Sequence, residues 1–175
     1  TLSNKTYIPF SRAGAALAVL GLSATALADA VQWTEAVQWT EAEGGNGHWY
    51  QLQDGIGNSW NDHRQTALGL GGDLACPIDS STNTFLGDLL QQSGICTQFD
   101  YFSIGGVQDE GASAPDAGWS WVSGADWNWT NWGTGEPNDG GSGESALAYS
   151  PGGDCLNNWN DIDPTTTSWQ LGYII

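Results

Sequence analysis

Cationic side chains are nearly absent from this chain. Lysine and arginine together number three, against 20 aspartate and glutamate residues, and the formal net charge is −17. Proteins that bind nucleic acid neutralise its phosphates with lysine and arginine, so the composition argues against nucleic acid as a partner. It argues against an anionic membrane surface for the same reason.

Cysteine is also scarce, and its spacing does not indicate a zinc or redox site. Cys76, Cys96 and Cys155 allow one disulfide and leave one thiol, and Cys76 and Cys96 flank a helical stretch across which they are candidates for pairing. No CxxC or HExxH spacing occurs, and His48 and His63 share no ligand pattern. We therefore expect both histidines to be structural residues.

What the sequence does contain favours a packed fold. Its 175 residues include 11 tryptophans, and 39% of them are hydrophobic. Such a chain fits one domain with a core of its own, whereas an acidic disordered chain has few aromatic residues. Most carboxylates are then expected on the surface, and some are candidates to bind a divalent cation.

The N-terminal residues 1–28 have the pattern of a signal peptide. Lys5 and Arg12 precede an apolar run, 13–28, that is too short to span a bilayer comfortably and ends in Ala-Leu-Ala. This predicts export, cleavage near Asp29, and a secreted or cell-surface protein whose mature chain does not enter the membrane. An uncleaved anchor or a core helix is the alternative.

Residues 29–46 are interpreted as a linker and residues 47–175 as the folded domain. The linker contains a perfect tandem hexapeptide, VQWTEAVQWTEA, at 31–42. Two copies are too few for a solenoid, so the repeat is either a linker or a short extended segment.

The domain sequence predicts two helices and several strands. Ser59 with Asp62 three residues later indicates the start of a helix over 60–68, and a second helix is expected over 83–92 with Phe85, Leu86, Leu89 and Leu90 buried. Strands are expected within 48–53, 99–106, 118–124 and 168–175.

Between residues 125 and 158 no helical or strand periodicity is visible, and we expect an irregular but packed loop. Tryptophans bury large areas and hold loops in place. We expect Trp127, Trp129 and Trp132 to brace this loop. Trp119, Trp121 and Trp159 are expected in the core.

Two stretches of this region are rich in oxygen ligands: GTGEPNDGGSGES, from Gly133, and NNWNDID, from Asn157. Calcium binds six to eight oxygens from carboxylates, amide carbonyls and backbone. The side chains that offer such a set are Glu136, Asn138, Glu144, Asn160 and Asp161. Composition alone also fits a solvated turn, since loops of this kind are common.

The order of the motifs SWNDHRQTALGLGGDLA, FSIGGVQD, GWSWVSG, WNWTNWGTGEPND and WND resembles the C-type lectin-like domains, from about His48 to Ile175. The resemblance implies an α+β fold with two helices, antiparallel sheets and a long irregular calcium-binding loop. It implies that the same five residues bind both Ca²⁺ and sugar, and that Pro137 is cis. Candidates for an auxiliary metal site are Asp109, Glu110, Asp116 and Asp139.

The chain departs from this family at the positions of the usual disulfides and in the loop. Ala67, Ala146 and Ile175 stand where cysteines are expected, which resembles bacterial members held by packing alone. Ser145 follows Glu144, where an auxiliary calcium site would have an acid. A short insertion, SPGGDC, precedes Trp159 and affects loop geometry more than ligand identity.

The resulting hypothesis is calcium-dependent binding of mannose-, glucose-, N-acetylglucosamine- or fucose-type hydroxyl pairs, which is what Glu-Pro-Asn implies in this family. The alternative is an exported adhesion or self-assembling protein that uses the same fold for protein contacts. An enzyme is disfavoured, because carboxylates that bind a metal are ionised and are not available as proton donors.

Overall fold

The computed structural model describes residues 35–94, 101–141, 143–150 and 158–175. Residues 1–28, Cys96 and Cys155 lie outside these ranges, so the predicted signal peptide and the Cys76–Cys96 pair stay predictions. None of the helices in the described ranges combines the length and apolarity that a membrane crossing requires.

The described residues form two α-helices, eight strands and one short 3-10 helix. The helices are α1 (Trp60–Gly69) and α2 (Ser80–Ser93), and the 3-10 helix is Glu41–Glu43. The strands are β1 (Val37–Gln38), β2 (Trp49–Tyr50), β3 (Leu52–Asp54), β4 (Tyr101–Gln108), β5 (Trp119–Trp121), β6 (Ala146–Ser150), β7 (Asn158–Ile162) and β8 (Gln170–Ile174).

Helix α1 begins where its sequence predicts, because Ser59 and Asp62 form a capping box. The Ser59 hydroxyl accepts from Asp62 N at 3.2 Å, and the Asp62 carboxylate accepts from Ser59 N at 3.0 Å. These bonds satisfy backbone groups that lack partners within the helix. The helix buries Trp60, His63 and Ala67.

Helix α2 begins three residues before its predicted start. Asp79 is its N-cap, and the Asp79 carboxylate accepts from Thr82 N at 2.7 Å. The prediction placed the start at the hydrophobic pattern and missed this capping residue. Phe85, Leu86 and the other apolar residues of the predicted face are buried as expected, and the helix ends at Gly94, whose φ is 68°.

The main sheet has the strand order β3-β8-β4-β6-β7, and β5 pairs with β4 outside this path. Strands β4 and β8 are parallel and the other pairs are antiparallel. A second sheet contains β1 and β2 alone. Two helices with separate, mostly antiparallel sheets confirm the predicted α+β class.

Strand β6 corrects the prediction that the whole 125–158 stretch is irregular. Residues 146–149 are buried, and β6 pairs with β4 on one side and β7 on the other. Because a central strand is covered on both faces, its sequence need not alternate between apolar and polar residues. Residues 125–141 and 143–145 form no helix or named strand, as predicted.

The predicted strand at 48–53 is two strands with different partners. Tyr50 in β2 lies opposite Val37 in β1, whereas Leu52 in β3 lies opposite Ile174 in β8. For the second copy of the hexapeptide repeat, the structure supports the interpretation as a short extended segment. Val37 is 8% exposed, and the Trp39 ring stacks on Phe85 with centroids 4.9 Å apart. This copy is an extended segment packed on the domain.

The tryptophans divide between core and loop as predicted. Trp119, Trp121 and Trp159 are buried. Trp127, Trp129 and Trp132 are half-buried and pack on the core, each with its ring within 6 Å of the Trp159 ring. The long loop is therefore held to the sheet by aromatic packing.

Two buried alanines stand at positions where the family resemblance would place cysteines. Ala67 on α1 and Ala146 on β6 are both 0% exposed, and they belong to one cluster with Trp60 and Tyr173. Close packing of these side chains joins helix α1 to the sheet without a covalent bond.

Candidate functional site

The long loop runs beside the outer edge of strand β7, and this contact creates the candidate site. Trp159 N donates to Asn131 O at 2.9 Å, and Gly133 N donates to Trp159 O at 2.8 Å. Trp159 and Trp132 form an isolated parallel bridge at this point. The Glu-Pro-Asn triplet, which follows directly, is thereby brought next to Asn160 and Asp161.

Asp161 is the buried centre of the site. Only 1% of it is exposed, and its two carboxylate oxygens accept from Asn138 N at 3.1 Å and from Asp139 N at 2.8 Å. The Glu136–Pro137 peptide bond is cis, as the resemblance implied. The Asn138 side-chain amide donates to the Glu136 carboxylate. Three of the five predicted ligands are therefore in direct contact.

Glu144 is held next to this group by a tight turn. Its carboxylate accepts from Gly140 N at 2.7 Å. Asp139 closes the turn, because one of its carboxylate oxygens accepts from Gly143 N at 2.7 Å and from Glu144 N at 3.1 Å. Glycine suits two positions of this turn: a Cβ on Gly140 would lie 2.5 Å from Asn138 Oδ1, which would have to move, and Gly143 has a φ of 92°.

The two ends of the Asn160 side-chain amide have different surroundings. Its Nδ2 donates to the Tyr101 hydroxyl at 3.2 Å. Its Oδ1 is buried and has no hydrogen-bond partner. A buried carbonyl oxygen without a donor is uncommon, and an ion or a water molecule is one kind of partner that would satisfy it.

Tyr101 is a residue of this site that the sequence did not indicate. It lies within the strand predicted over 99–106 and belongs to none of the sequence motifs named above. The pairing of β4 with β6 and of β6 with β7 brings it to Asn160, 59 residues away in the chain. Burial raises the pKa of the Tyr101 hydroxyl, and the nearby Glu136 carboxylate raises it further.

Carboxylates crowd this site, and their pKa values reflect it. Burial raises the pKa of Glu136 to about 7, with a further contribution from the Asp161 charge. Burial also raises the pKa of Glu144, and the Asp161 charge acts in the same direction. Within the described ranges the one ion pair joins the Arg64 guanidinium to the Asp73 carboxylate, with Nε 3.1 Å from Oδ1. The positive charge of Arg64 is therefore paired with Asp73.

The residues present fit a hard cation such as Ca²⁺. The structure brings together the five predicted ligands, all of which offer oxygen donors and none of which offers sulfur. In the described part of the chain, however, no three His, Cys, Asp or Glu side chains form a ready-made metal centre. The three carboxylates of the set, Glu136, Glu144 and Asp161, each accept from an amide group of the loop instead of converging on one point.

The predicted auxiliary acids are only partly brought together. Asp109, Glu110 and Asp139 line a cavity of about 480 Å³ beside the main site, and Asp116 is not among its lining residues. Asp139 already accepts from two backbone N–H groups. An auxiliary metal site stays a prediction.

Comparison with solved structures identifies the architecture. The chain is similar to the C-type carbohydrate-recognition domain of cow CD23, determined in the presence of a GlcNAc2Man3 oligosaccharide. The two chains are 21% identical, the match covers 72% of this chain and 84% of that one, and the TM-score is 0.57. The EPNH mutant of CEL-I matches with 18% identity, 74% and 89% coverage, and a TM-score of 0.61.

A calcium-independent type II antifreeze protein is similar to the same extent, with 18% identity, 72% and 82% coverage, and a TM-score of 0.55. No family model matches the sequence, and no curated protein matches it significantly. The structural likeness nevertheless covers about three quarters of the chain in each case. The chain has the C-type lectin-like fold.

Proposed function

We propose that this domain binds carbohydrate through a calcium ion, and that the sugar presents a mannose-, glucose-, N-acetylglucosamine- or fucose-type hydroxyl pair. The observation that supports the proposal is the group of Glu136, Asn138 and Asp161 in mutual contact, next to the unpaired Asn160 Oδ1. A hard cation would balance an oxygen-rich, negatively charged group of this kind, which in its absence is relieved by protonation, as the raised pKa of Glu136 indicates.

In this proposal the ion is held by Glu136, Asn138, Glu144, Asn160 and Asp161. A bound Ca²⁺ would supply coordination positions for two neighbouring sugar hydroxyls. The protein's part is to complete the hydrogen bonds of those hydroxyls. The carboxylates of Glu136 and Glu144 accept from them, and the amides of Asn138 and Asn160 donate to them.

The solved structures support carbohydrate as the partner, but the fold itself does not decide between functions. CD23 is described with an oligosaccharide, whereas the antifreeze protein is described as calcium-independent. The residues of the candidate site support calcium-dependent binding over calcium-independent binding, because all five predicted oxygen ligands are present there. The acids of the site act in this proposal as metal ligands and not as catalytic groups, and the protein acts outside the cell.

The proposal is tested by calcium titration calorimetry, followed by binding to immobilised mannose. The wild type should take up calcium with a dissociation constant on the order of 10⁻⁴ to 10⁻³ M, as extracellular modules do. It should bind mannose in calcium and release it in EDTA. Asp161→Asn should lose both activities, because the carboxylate at the centre of the site loses its charge.

Asp88→Asn is the matched control, since Asp88 is an exposed acid on α2 and the substitution removes the same charge. This variant should behave as the wild type. Competition with free mannose and free galactose then tests the sugar class, and mannose should compete better. Absence of calcium uptake by the wild type at millimolar concentration, or mannose binding that persists in EDTA, would contradict the proposal.

A further inference from the structure

The Asn160 side chain has a defined direction in this structure, and that direction matters for ion binding. An asparagine amide presents an oxygen at one end and an NH₂ group at the other. Only the oxygen can bind a cation. The Nδ2 group donates to the Tyr101 hydroxyl at 3.2 Å, and Oδ1 is left buried and unpaired.

We propose that Tyr101 is a positioning residue of the calcium site, whose hydroxyl holds the Asn160 amide with Oδ1 available to the ion. This inference rests on the proposed function and adds a residue to it. A phenol hydroxyl can donate as well as accept, and the nearby Glu136 charge favours its hydrogen pointing toward that carboxylate, which leaves the oxygen to accept from Nδ2. Without the phenol oxygen, the amide can rotate by half a turn and present NH₂ to the ion, which repels the cation.

Tyr101 can orient Asn160 because its own position is fixed at several points. Its backbone N donates to Trp169 O at 2.7 Å, and it lies opposite Gln170 in the parallel pair of β4 and β8. Its side chain is half-buried and packs against the cluster that contains Trp60 and Tyr173. The hydroxyl is thus held by two strands and a packed ring.

The same hydrogen bond affects how the sugar is bound. One of the two Nδ2 hydrogens of Asn160 is donated to the Tyr101 hydroxyl, which leaves one for a sugar hydroxyl. The Asn138 amide is exposed and contacts only the Glu136 carboxylate among the site residues. Each of the two asparagines thus keeps one amide hydrogen for the sugar, and the amide of Asn138 is the exposed one.

The test begins with Tyr101→Phe, which removes the hydroxyl and keeps the ring. Loss of an outer hydrogen-bond partner of a metal ligand typically weakens metal binding about 10-fold or more. We expect a loss of this size in calcium affinity by calorimetry. The control is Tyr50→Phe, which also removes a hydrogen-bonded phenol: Asn46 Nδ2 donates to Tyr50 Oη at 2.7 Å. It should leave calcium affinity unchanged.

A second pair of variants separates positioning from a general structural role. In an Asn160→Asp background both side-chain oxygens are equivalent, so no partner is needed to select one of them. Tyr101→Phe should then weaken calcium binding much less than it does beside Asn160. Equal losses in the two backgrounds would mean that Tyr101 acts on the fold in general, and they would overturn the inference.

The outcomes for the inference and for the proposed function are distinct. If the wild type binds calcium and Tyr101→Phe binds it equally well, the inference is wrong and the proposed function stands. If the wild type takes up no calcium at all, both are wrong. Thermal unfolding in EDTA accompanies each variant, and the inference predicts that Tyr101→Phe loses more in calcium affinity than any change in calcium-free stability accounts for.

Discussion

His63 shows, at the scale of single residues, how one buried polar side chain joins separate elements. Its Nε2 lies 2.9 Å from Gly55 O and its Nδ1 lies 2.8 Å from Ser103 Oγ, while its ring stacks on Tyr173. A carbonyl oxygen only accepts, so Nε2 carries the hydrogen and Nδ1 accepts from Ser103 in the neutral ring. His63 is therefore a structural residue of the described fold, as its sequence context predicted.

This position should make stability depend on pH. Burial lowers the pKa of His63 below its usual value of about 6.5, so the unfolded chain takes up a proton that the folded chain does not. The His63 contribution to the free energy of unfolding should therefore decrease as the pH falls below about 6.5, whereas the raised pKa values of Glu136 and Glu144 act in the opposite direction. The His63 contribution is therefore obtained as a difference from a variant that lacks the ring. Urea unfolding at pH 7 and pH 5 measures this decrease.

The His63→Gln variant is the comparison for that measurement. It should be less stable than the wild type at pH 7, because the ring contacts are lost. It should also lose less stability between pH 7 and pH 5, since the titrating group is gone. An identical pH dependence in both proteins would show that His63 does not contribute to it.

At the scale of elements, two aromatic side chains of the β1–β2 ribbon contact the Phe85 ring of helix α2. Trp39 follows β1 directly and stacks on Phe85, with an interplanar angle of 11°. Tyr50 on β2 contacts the same ring, with centroids 5.4 Å apart. Phe85 therefore links the second hexapeptide copy to the core.

Trp39→Ala should destabilise the domain by roughly 2 kcal/mol, which is less than for a fully buried tryptophan because the ring is only half-buried. Trp49→Ala is the matched variant, since Trp49 lies on the same ribbon and is 43% exposed. Its cost should be smaller. Chemical unfolding of both variants checks this, and equal costs would mean that the Phe85 contact contributes little.

At the scale of the whole molecule, the excess of acidic residues acts in two separable ways. The formal net charge of −17 raises the energy of any compact state, and monovalent salt should stabilise the fold by screening it. Calcium should act in addition at the carboxylates of the candidate site, Glu136, Glu144 and Asp161. An ion that binds the folded state alone stabilises it by about 1.4 kcal/mol at ten times its dissociation constant.

Thermal unfolding distinguishes these two effects. Calcium should raise the melting temperature of the wild type more than magnesium does at the same concentration, because magnesium gives up its water ligands reluctantly. In Asp161→Asn the two ions should act alike, whereas sodium chloride should still stabilise the variant. A calcium effect of equal size in Asp161→Asn would mean that calcium acts only by screening.

The sequence by itself determined those features that depend on neighbouring residues or on a motif. The start of α1 follows from Ser59 and Asp62, which are three residues apart, and the buried face of α2 follows from its 3.6-residue spacing. The candidate ligands Glu136, Asn138 and Asp161 were recognisable because their residue types and order form a pattern. Their choice as candidate ligands therefore depends on residue type and order and not on the fold.

Only the tertiary structure decided which distant groups meet. Strand β6 has no readable alternation because it is covered on both faces, and Tyr101 reaches Asn160 only through the pairing of β4, β6 and β7. The unpaired Asn160 Oδ1 and the raised Glu136 pKa likewise arise from burial and from charges brought together by folding. Burial and long-range strand pairing depend on the whole chain, so no local pattern of residues contains them.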